Sequence, residues 1–268
     1  MGSKVDFFIV GVQKGGTTAL DRYLRQHPQL QMARVKEVHH FDDETVSWAH
    51  PDHERLHRQY DWSVQNVLRG EATPIYLYWP QSLARLQAYN PDARLIVSLR
   101  HPAFRAYSHW KMETRRAWEN LSFEDAISPQ GRRRVAAALN GAHRVFSYIE
   151  RSCYAPQVAR LLDLFSRSQV LFMRVDDLWS TPGRALETVE QFLGVEQAVS
   201  TAPDRSYVKA TSGALEDDRP LSSSVRAQLD DLFRGDIKET AKLTRLDLSD
   251  WLSPGYLENL KPSGVSIG

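Results

Sequence analysis

Cysteine is almost missing from this chain of 268 residues, in which Cys153 stands alone. No intramolecular disulfide can form and no thiolate-rich metal site can be assembled, so a reducing, cytoplasmic setting is the simplest expectation. Long apolar runs are also scarce. The longest are Phe7-Phe8-Ile9-Val10 and Leu95-Ile96-Val97, far short of the roughly 18 apolar residues of a membrane span. The first residues lack the basic-then-apolar pattern of a signal peptide, and Asp6 occupies the place where N-myristoylation wants Ser or Thr. No membrane partner is therefore expected. Excess charge is missing too: 34 Lys and Arg face 33 Asp and Glu, for a net charge of +1. That balance argues against a generally basic nucleic-acid binder and leaves room for a local basic groove around a small anion. There is no internal repeat and no linker rich in Gly, Ser or Pro, so one domain over residues 1–268 is expected.

What is present is the composition of an ordinary globular protein, 42% hydrophobic and 25% charged. Residues 5–10 read as a buried strand, Gly11 to Gly16 as a glycine-bearing turn, and residues 17–27 as a helix ended by Pro28. Residues 30–71 read as mixed and loop-rich. A helix over 79–89, a strand over 93–99 and a helix over 103–118 with Pro102 in its first turn make a second strand-to-helix unit. A long helix over 145–165, a strand over 169–174 and a helix over 182–193 closed by Gly194 continue the alternation. A polar stretch over 210–220, the pattern of a flap, precedes a last helix over 221–233. The expected fold is α/β, with a P-loop-like parallel sheet flanked by helices on both faces and a ligand site at the carboxyl ends of the strands.

The strongest local signal is Gly11-Val12-Gln13-Lys14-Gly15-Gly16-Thr17-Thr18, set between an apolar strand and a helix. Backbone amides in such a loop and the positive end of the following helix form a cradle for a phosphate or phosphosulfate. It is not an NTPase loop, because Thr17 stands where that motif carries lysine and Lys14 comes three residues earlier. Nor does an Asp follow the second strand to hold magnesium, since that strand runs into Arg100. Arg100 at a strand end and Ser108 on the next helix could serve a second phosphate. Arg105 on the same helix reads as part of a solvated face.

Lys14-Gly15-Gly16-Thr17-Thr18 resembles the 5'-phosphosulfate loop of the sulfotransferases that use 3'-phosphoadenosine 5'-phosphosulfate (PAPS). Arg100-His101-Pro102 with Ser108 resembles their 3'-phosphate motif. The likeness continues through Ser152-Cys153-Tyr154, Val175-Asp176-Asp177-Leu178 with Pro182, and Phe192-Leu193-Gly194; Ser212, Gly213 and Arg219 resemble a late cofactor-covering loop weakly. The resemblance implies PAPS as sulfuryl donor, PAP as product and no metal. It implies that Lys14 meets the sulfuryl group and its bridging oxygen, that Gly15, Gly16, Thr17 and Thr18 line the donor, and that Arg100 and Ser108 hold the 3'-phosphate.

Lys36-Glu37-Val38-His39-His40-Phe41-Asp42 is similar to the K-E-P-H-F-F-D stretch of the heparan sulfate 3-O-sulfotransferases and related N-sulfotransferases, with Val38 and His40 as departures. The likeness implies Glu37 as general base with His39 and Asp42 beside it. His39 and His40 are rival bases, because imidazole titrates nearest neutral pH. Gly70-Glu71-Ala72-Thr73-Pro74-Ile75-Tyr76 is similar to the family's G-E-K-[ST]-P-x-Y, with Ala72 in the lysine position. His40, Asp42, Thr73 and Pro74 are accordingly expected on the acceptor side, facing a small-molecule or glycan acceptor. Arg132-Arg133-Arg134 reads as an exposed helical charge run. His53-Glu54-Arg55-Leu56-His57 matches the zinc-hydrolase pattern H-E-x-x-H, a rival reading beside a kinase-like phosphotransferase and a non-catalytic nucleotide-binding module.

Overall fold

The computed structural model describes residues 4–198 and 220–258. Residues 210–219 of the expected flap, with Ser212, Gly213 and Arg219, lie outside the described residues. The described chain divides into two compact units, the first built on residues up to 99 with 161–198, the second on 100–160 and 220–257.

The first unit holds a parallel five-stranded sheet in the order β2-β3-β1-β4-β5. Its strands are β1 (Phe7–Gly11), β2 (Leu30–Met32), β3 (Leu68–Ala72), β4 (Arg94–Leu99) and β5 (Val170–Arg174). Central strands of a parallel sheet are covered on both faces, which is why β1 reads Phe-Phe-Ile-Val-Gly without alternation and is buried throughout. Phe7 and Ile9 point to one face, where they meet Leu20 and Leu24 of α1 (Thr17–Leu24). Leu178 of α8 (Val175–Ser180) and Val189 and Leu193 of α9 (Pro182–Leu193) complete that layer. Phe8 points to the other, edge-on to Phe41 with ring centres 5.7 Å apart and to Tyr89 of α3 (Ser82–Tyr89). Burying each such ring contributes about 2 kcal/mol.

The loop-rich reading of residues 30–71 is corrected here, because both β2 and β3 lie in that stretch. Leu-Arg-Gly-Glu-Ala carries no β-branched run, and it is held as a strand by its pairing with β1, Phe7 opposite Gly70 and Ile9 opposite Ala72. Gly70 is required by that register: a Cβ there would come within 2.1 Å of the Phe7 ring.

The second unit is helical: α4 (Pro102–Arg115), α5 (Phe123–Ile127), α6 (Pro129–Ala136) and α10 (Ser223–Thr244), with the start of α7 (Tyr154–Leu164). The long helix expected over 145–165 is replaced by a 3-10 turn, Glu150–Ser152, and the shorter α7. Pro156 explains the break, since its ring is tolerated in a first helical turn and clashes deeper in a helix. The final helix runs 11 residues past its expected end at Phe233, because Ile237, Thr240 and Thr244 continue its buried stripe.

Candidate active site

The glycine turn is built as a cradle. Val12 donates its amide to the Ser98 carbonyl at 3.0 Å, and the Ser98 hydroxyl donates to the Gly15 carbonyl at 2.7 Å, so the turn is tied across to β4. A Cβ on Gly15 would lie 2.3 Å from the Ser98 oxygen. Gly16, the residue preceding α1, has φ 78° and Lys14 φ 72°, both in the left-handed region. No side chain caps the start of α1, so its first-turn amides at Thr17 and Thr18 are left for an anion. Lys14 and Thr18 are half-buried beside them and Thr17 is buried. A phosphosulfate fits this donor set: fixed amides, hydroxyls and one ammonium, with no room for a side chain at Gly15.

The second element of the unit is the segment between β2 and Phe41. Glu37 has φ 64° and His39 φ 54°, an uncommon conformation for residues with a Cβ. Five successive amides are held in place. Glu37 donates to the Ala72 carbonyl at 3.0 Å, Val38 to Glu71 Oε1 at 3.2 Å and His39 to Thr73 Oγ1 at 3.4 Å. His40 and Phe41 donate to the Tyr76 hydroxyl at 3.0 and 3.4 Å. The Glu-Ala-Thr-Pro-Ile-Tyr segment that leaves β3 is thus the frame on which this turn is hung.

That frame aligns four charged groups. His39 Nδ1 lies 2.9 Å from Asp42 Oδ2, and His39 Nε2 lies 3.4 Å from Glu37 Oε2. Lys36 Nζ donates to Glu37 Oε1 at 2.7 Å. The Asp42 hydrogen bond, with help from Glu37, raises the His39 pKa to about 9, so the ring is an imidazolium at neutral pH. Burial pushes Glu37 up, but His39 and the Lys36 ammonium outweigh it and hold the carboxyl at about 2. Glu37 is ionised and half-exposed; His39 has no free lone pair. Burial pushes His40 down to about 4, and its Nε2 is 2.8 Å from His53 Nδ1. Asp42, Thr73 and Pro74 are buried with it.

Arg100 and Ser108, both half-buried, belong to the second unit, Arg100 just before α4 and Ser108 within it. The Arg100 carbonyl accepts from the Tyr154 hydroxyl at 2.7 Å. Arg105 overturns the expectation of a solvated face: it is fully buried, its Nε donating to Ser152 Oγ and its Nη2 to the Tyr148 carbonyl, each at 2.6 Å. The arginine run is only partly exposed. Arg132 pairs with Glu150 and Arg134 with Glu119, each at 2.8 Å, leaving Arg133 exposed on α6.

The H-E-x-x-H residues form the single turn α2 (Glu54–His57) with His53 as its N-cap. His53 Nδ1 is engaged by His40, and His57 Nε2 lies 2.9 Å from the Tyr89 hydroxyl. No group of three metal-ligating side chains occurs among the described residues. Sequence reasoning missed Glu71. It is fully buried, its Oε1 accepts from Val38 and the Thr73 hydroxyl, and burial pushes its pKa up to about 7. A carboxylate between Gly70 and Ala72 near the end of an interior strand is the signal that could have found it.

Comparison with known proteins gives the family. The sulfotransferase domain family matches residues 4–251. The chain is 30% identical over 199 residues to mouse heparan sulfate glucosamine 3-O-sulfotransferase 3A1, covering 72% of this chain and 46% of that protein. It is 30% identical over 213 residues to human heparan sulfate glucosamine 3-O-sulfotransferase 6, covering 76% and 56%. The chain thus spans about half the length of these curated relatives. A sulfotransferase crystal structure from Alicyclobacillus acidocaldarius superposes with a TM-score of 0.75 at 30% identity, over 93% of this chain and 99% of that one. No helix among the described residues is long and apolar enough to cross a membrane. With a parallel sheet flanked by helices and a family match running nearly end to end, this chain belongs to the sulfotransferase domain family.

Proposed function

We propose that the chain acts as one domain that transfers the sulfuryl group of PAPS to a hydroxyl, less readily an amine, of a carbohydrate or small-molecule acceptor. The observation that carries this reading is the turn Glu37-Val38-His39, where an ionised carboxylate is paired with a charged imidazolium in the unit that holds the uncapped Lys14 loop. Glu37 takes the acceptor proton as the new O–S bond forms and the S–O bond to the 5'-phosphate breaks, the electron pair leaving on PAP. A carboxylate of low pKa suffices, since the attacking oxygen turns acidic only as it bonds to sulfur. His39 is protonated and cannot take that proton; held by Asp42, it orients Glu37. His40, Asp42, Thr73 and Pro74 support the acceptor side from behind.

Lys14 and the amides of Thr17 and Thr18 stabilise charge on the sulfonate and the bridging oxygen, and Gly15 and Gly16 let the donor approach. Arg100 and Ser108 take the 3'-phosphate. A cytoplasmic setting remains part of this reading, as does an acceptor without nucleic acid. The similarity to heparan sulfate enzymes supports a carbohydrate acceptor, and Ala72, in place of that family's lysine, marks a departure on that side.

The test is transfer of label from [35S]PAPS to glucosamine-containing oligosaccharides and to a panel of phenols and alcohols, with calorimetry of PAP binding. PAP binding with label transfer supports the reading. Label moving from [γ-32P]ATP with magnesium, or PAP binding without transfer to any acceptor, overturns it.

A further inference from the structure

We propose that Glu71 is a positioning residue for the reaction, its carboxyl and the Thr73 hydroxyl together fixing the backbone turn that presents Glu37. This rests on the reading of Glu37 as base. Glu37 and His39 both have φ in the left-handed region, a conformation that is strained for a residue with a Cβ and persists only where the surroundings impose it. Between them sits Val38, whose amide is held by Glu71 Oε1 at 3.2 Å. The next amide, His39, is held by Thr73 Oγ1, and that hydroxyl donates to the same Glu71 oxygen. One carboxyl oxygen therefore governs two consecutive amides of the turn, one directly and one through a hydroxyl.

A purely structural tether would not need a carboxyl group. Glu71 is fully buried, and its Oε2 has no hydrogen-bond partner among the described residues. Burying a carboxyl half-satisfied is costly, and an amide or hydroxyl could accept from the same N–H groups at lower cost. What the carboxyl adds is charge under the turn. The charged and titratable groups that face it are Asp42 and His39 on the turn itself, Tyr60 ahead of β3 and Tyr76 beyond it. Its ionisation near pH 7 couples to the His39–Asp42 pair and gives turnover a dependence on pH that neither Glu37 at about 2 nor His39 at about 9 supplies.

The experiment compares Glu71→Gln, Thr73→Val, Thr73→Ser and Glu37→Ala in the full chain. The readouts are [35S]PAPS transfer to a glucosamine-containing oligosaccharide, PAP calorimetry and hydrogen exchange of the peptide covering residues 37–41. Glu71→Gln and Thr73→Val should lower kcat at least tenfold, with KM and PAP affinity within about twofold of the parent. Thr73→Ser should restore kcat. The kcat limb near pH 7 should be absent in Glu71→Gln, and exchange at Val38 and His39 should quicken in Glu71→Gln and Thr73→Val.

Unchanged kcat, pH profile and exchange in Glu71→Gln overturn the proposal while leaving Glu37 as base. Parallel losses in kcat, KM and PAP affinity overturn it as well, by showing a structural role only. Full activity in Glu37→Ala instead overturns the base assignment on which it rests. If the parent moves no label to this probe, exchange decides: unaltered protection at residues 38 and 39 in both variants refutes the tether.

Discussion

Asp42, fully buried, sits 2.9 Å from Nδ1 of His39, and that contact is the main reason the ring stays charged well above its usual range. His39 therefore binds a proton more tightly in the folded chain than in the unfolded one. Its contribution to stability is complete below its ordinary pKa of 6.5 and is lost as pH rises through about 9. In Asp42→Asn this alkaline loss should largely vanish, as urea unfolding at pH 6, 7.5 and 9.5 will show. Glu37 works in the opposite sense: held at about 2, it adds stability above its ordinary 4.5 that disappears only as pH falls through 2. Glu71 adds a third window. Its raised pKa makes ionisation unfavourable in the fold, so stability declines from pH 4.5 to about 7, a window that Asp42→Asn should narrow because the Asp42 charge helps to raise it.

Lys14→Ala should lower sulfuryl transfer by about two to three orders of magnitude, the scale of losing one preorganised donor to developing charge. The fold should survive, because Lys14 is half-buried in a turn whose ties to β4 run through Val12, Gly15 and Ser98. Circular dichroism and thermal melting check the fold, and label transfer checks the chemistry.

Arg105→Ala should destabilise the chain by about 3 kcal/mol, since two charge-assisted hydrogen bonds and a filled volume are removed together. The fully buried guanidinium donates to the Ser152 hydroxyl and to the Tyr148 carbonyl. Chemical denaturation measures the loss; a change below about 0.5 kcal/mol, the ordinary range for an exposed position, would restore the solvated-face expectation.

Glu54→Gln should leave transfer unchanged, and so should dialysis against EDTA. Glu54 is exposed and paired with Arg58 at 2.7 Å, on a turn whose histidines are engaged by His40 and Tyr89. A zinc hydrolase would lose its activity on both treatments, so steady-state rates before and after separate the two chemistries.

Much of this site was legible in order along the chain. The Lys14 loop needed only a strand, three glycines and two hydroxyls, all local features, and the loop lies where that pattern put it. Residues 30–71 were harder to read because β3 is a strand by partnership, with Gly70 chosen for the Phe7 ring above it and not for any propensity of its own. Arg105 misled for a related reason: on a helix an arginine looks solvated until the hydroxyl and carbonyl that receive it are known.

The amino-acid order by itself determined the alternation of strand and helix, the continuous apolar run of β1 and the glycine turn after it, because each shows as a residue pattern within about a dozen positions. Only the tertiary structure decided that Glu37 is held far below the usual carboxylate range, that His39 is charged at neutral pH and that Glu71 underlies the turn between them. Those states depend on burial and on the field of groups such as Asp42 and Lys36, and on a frame supplied from β3 more than thirty residues along the chain. Charge in a protein follows distance in space, which chain order alone does not state.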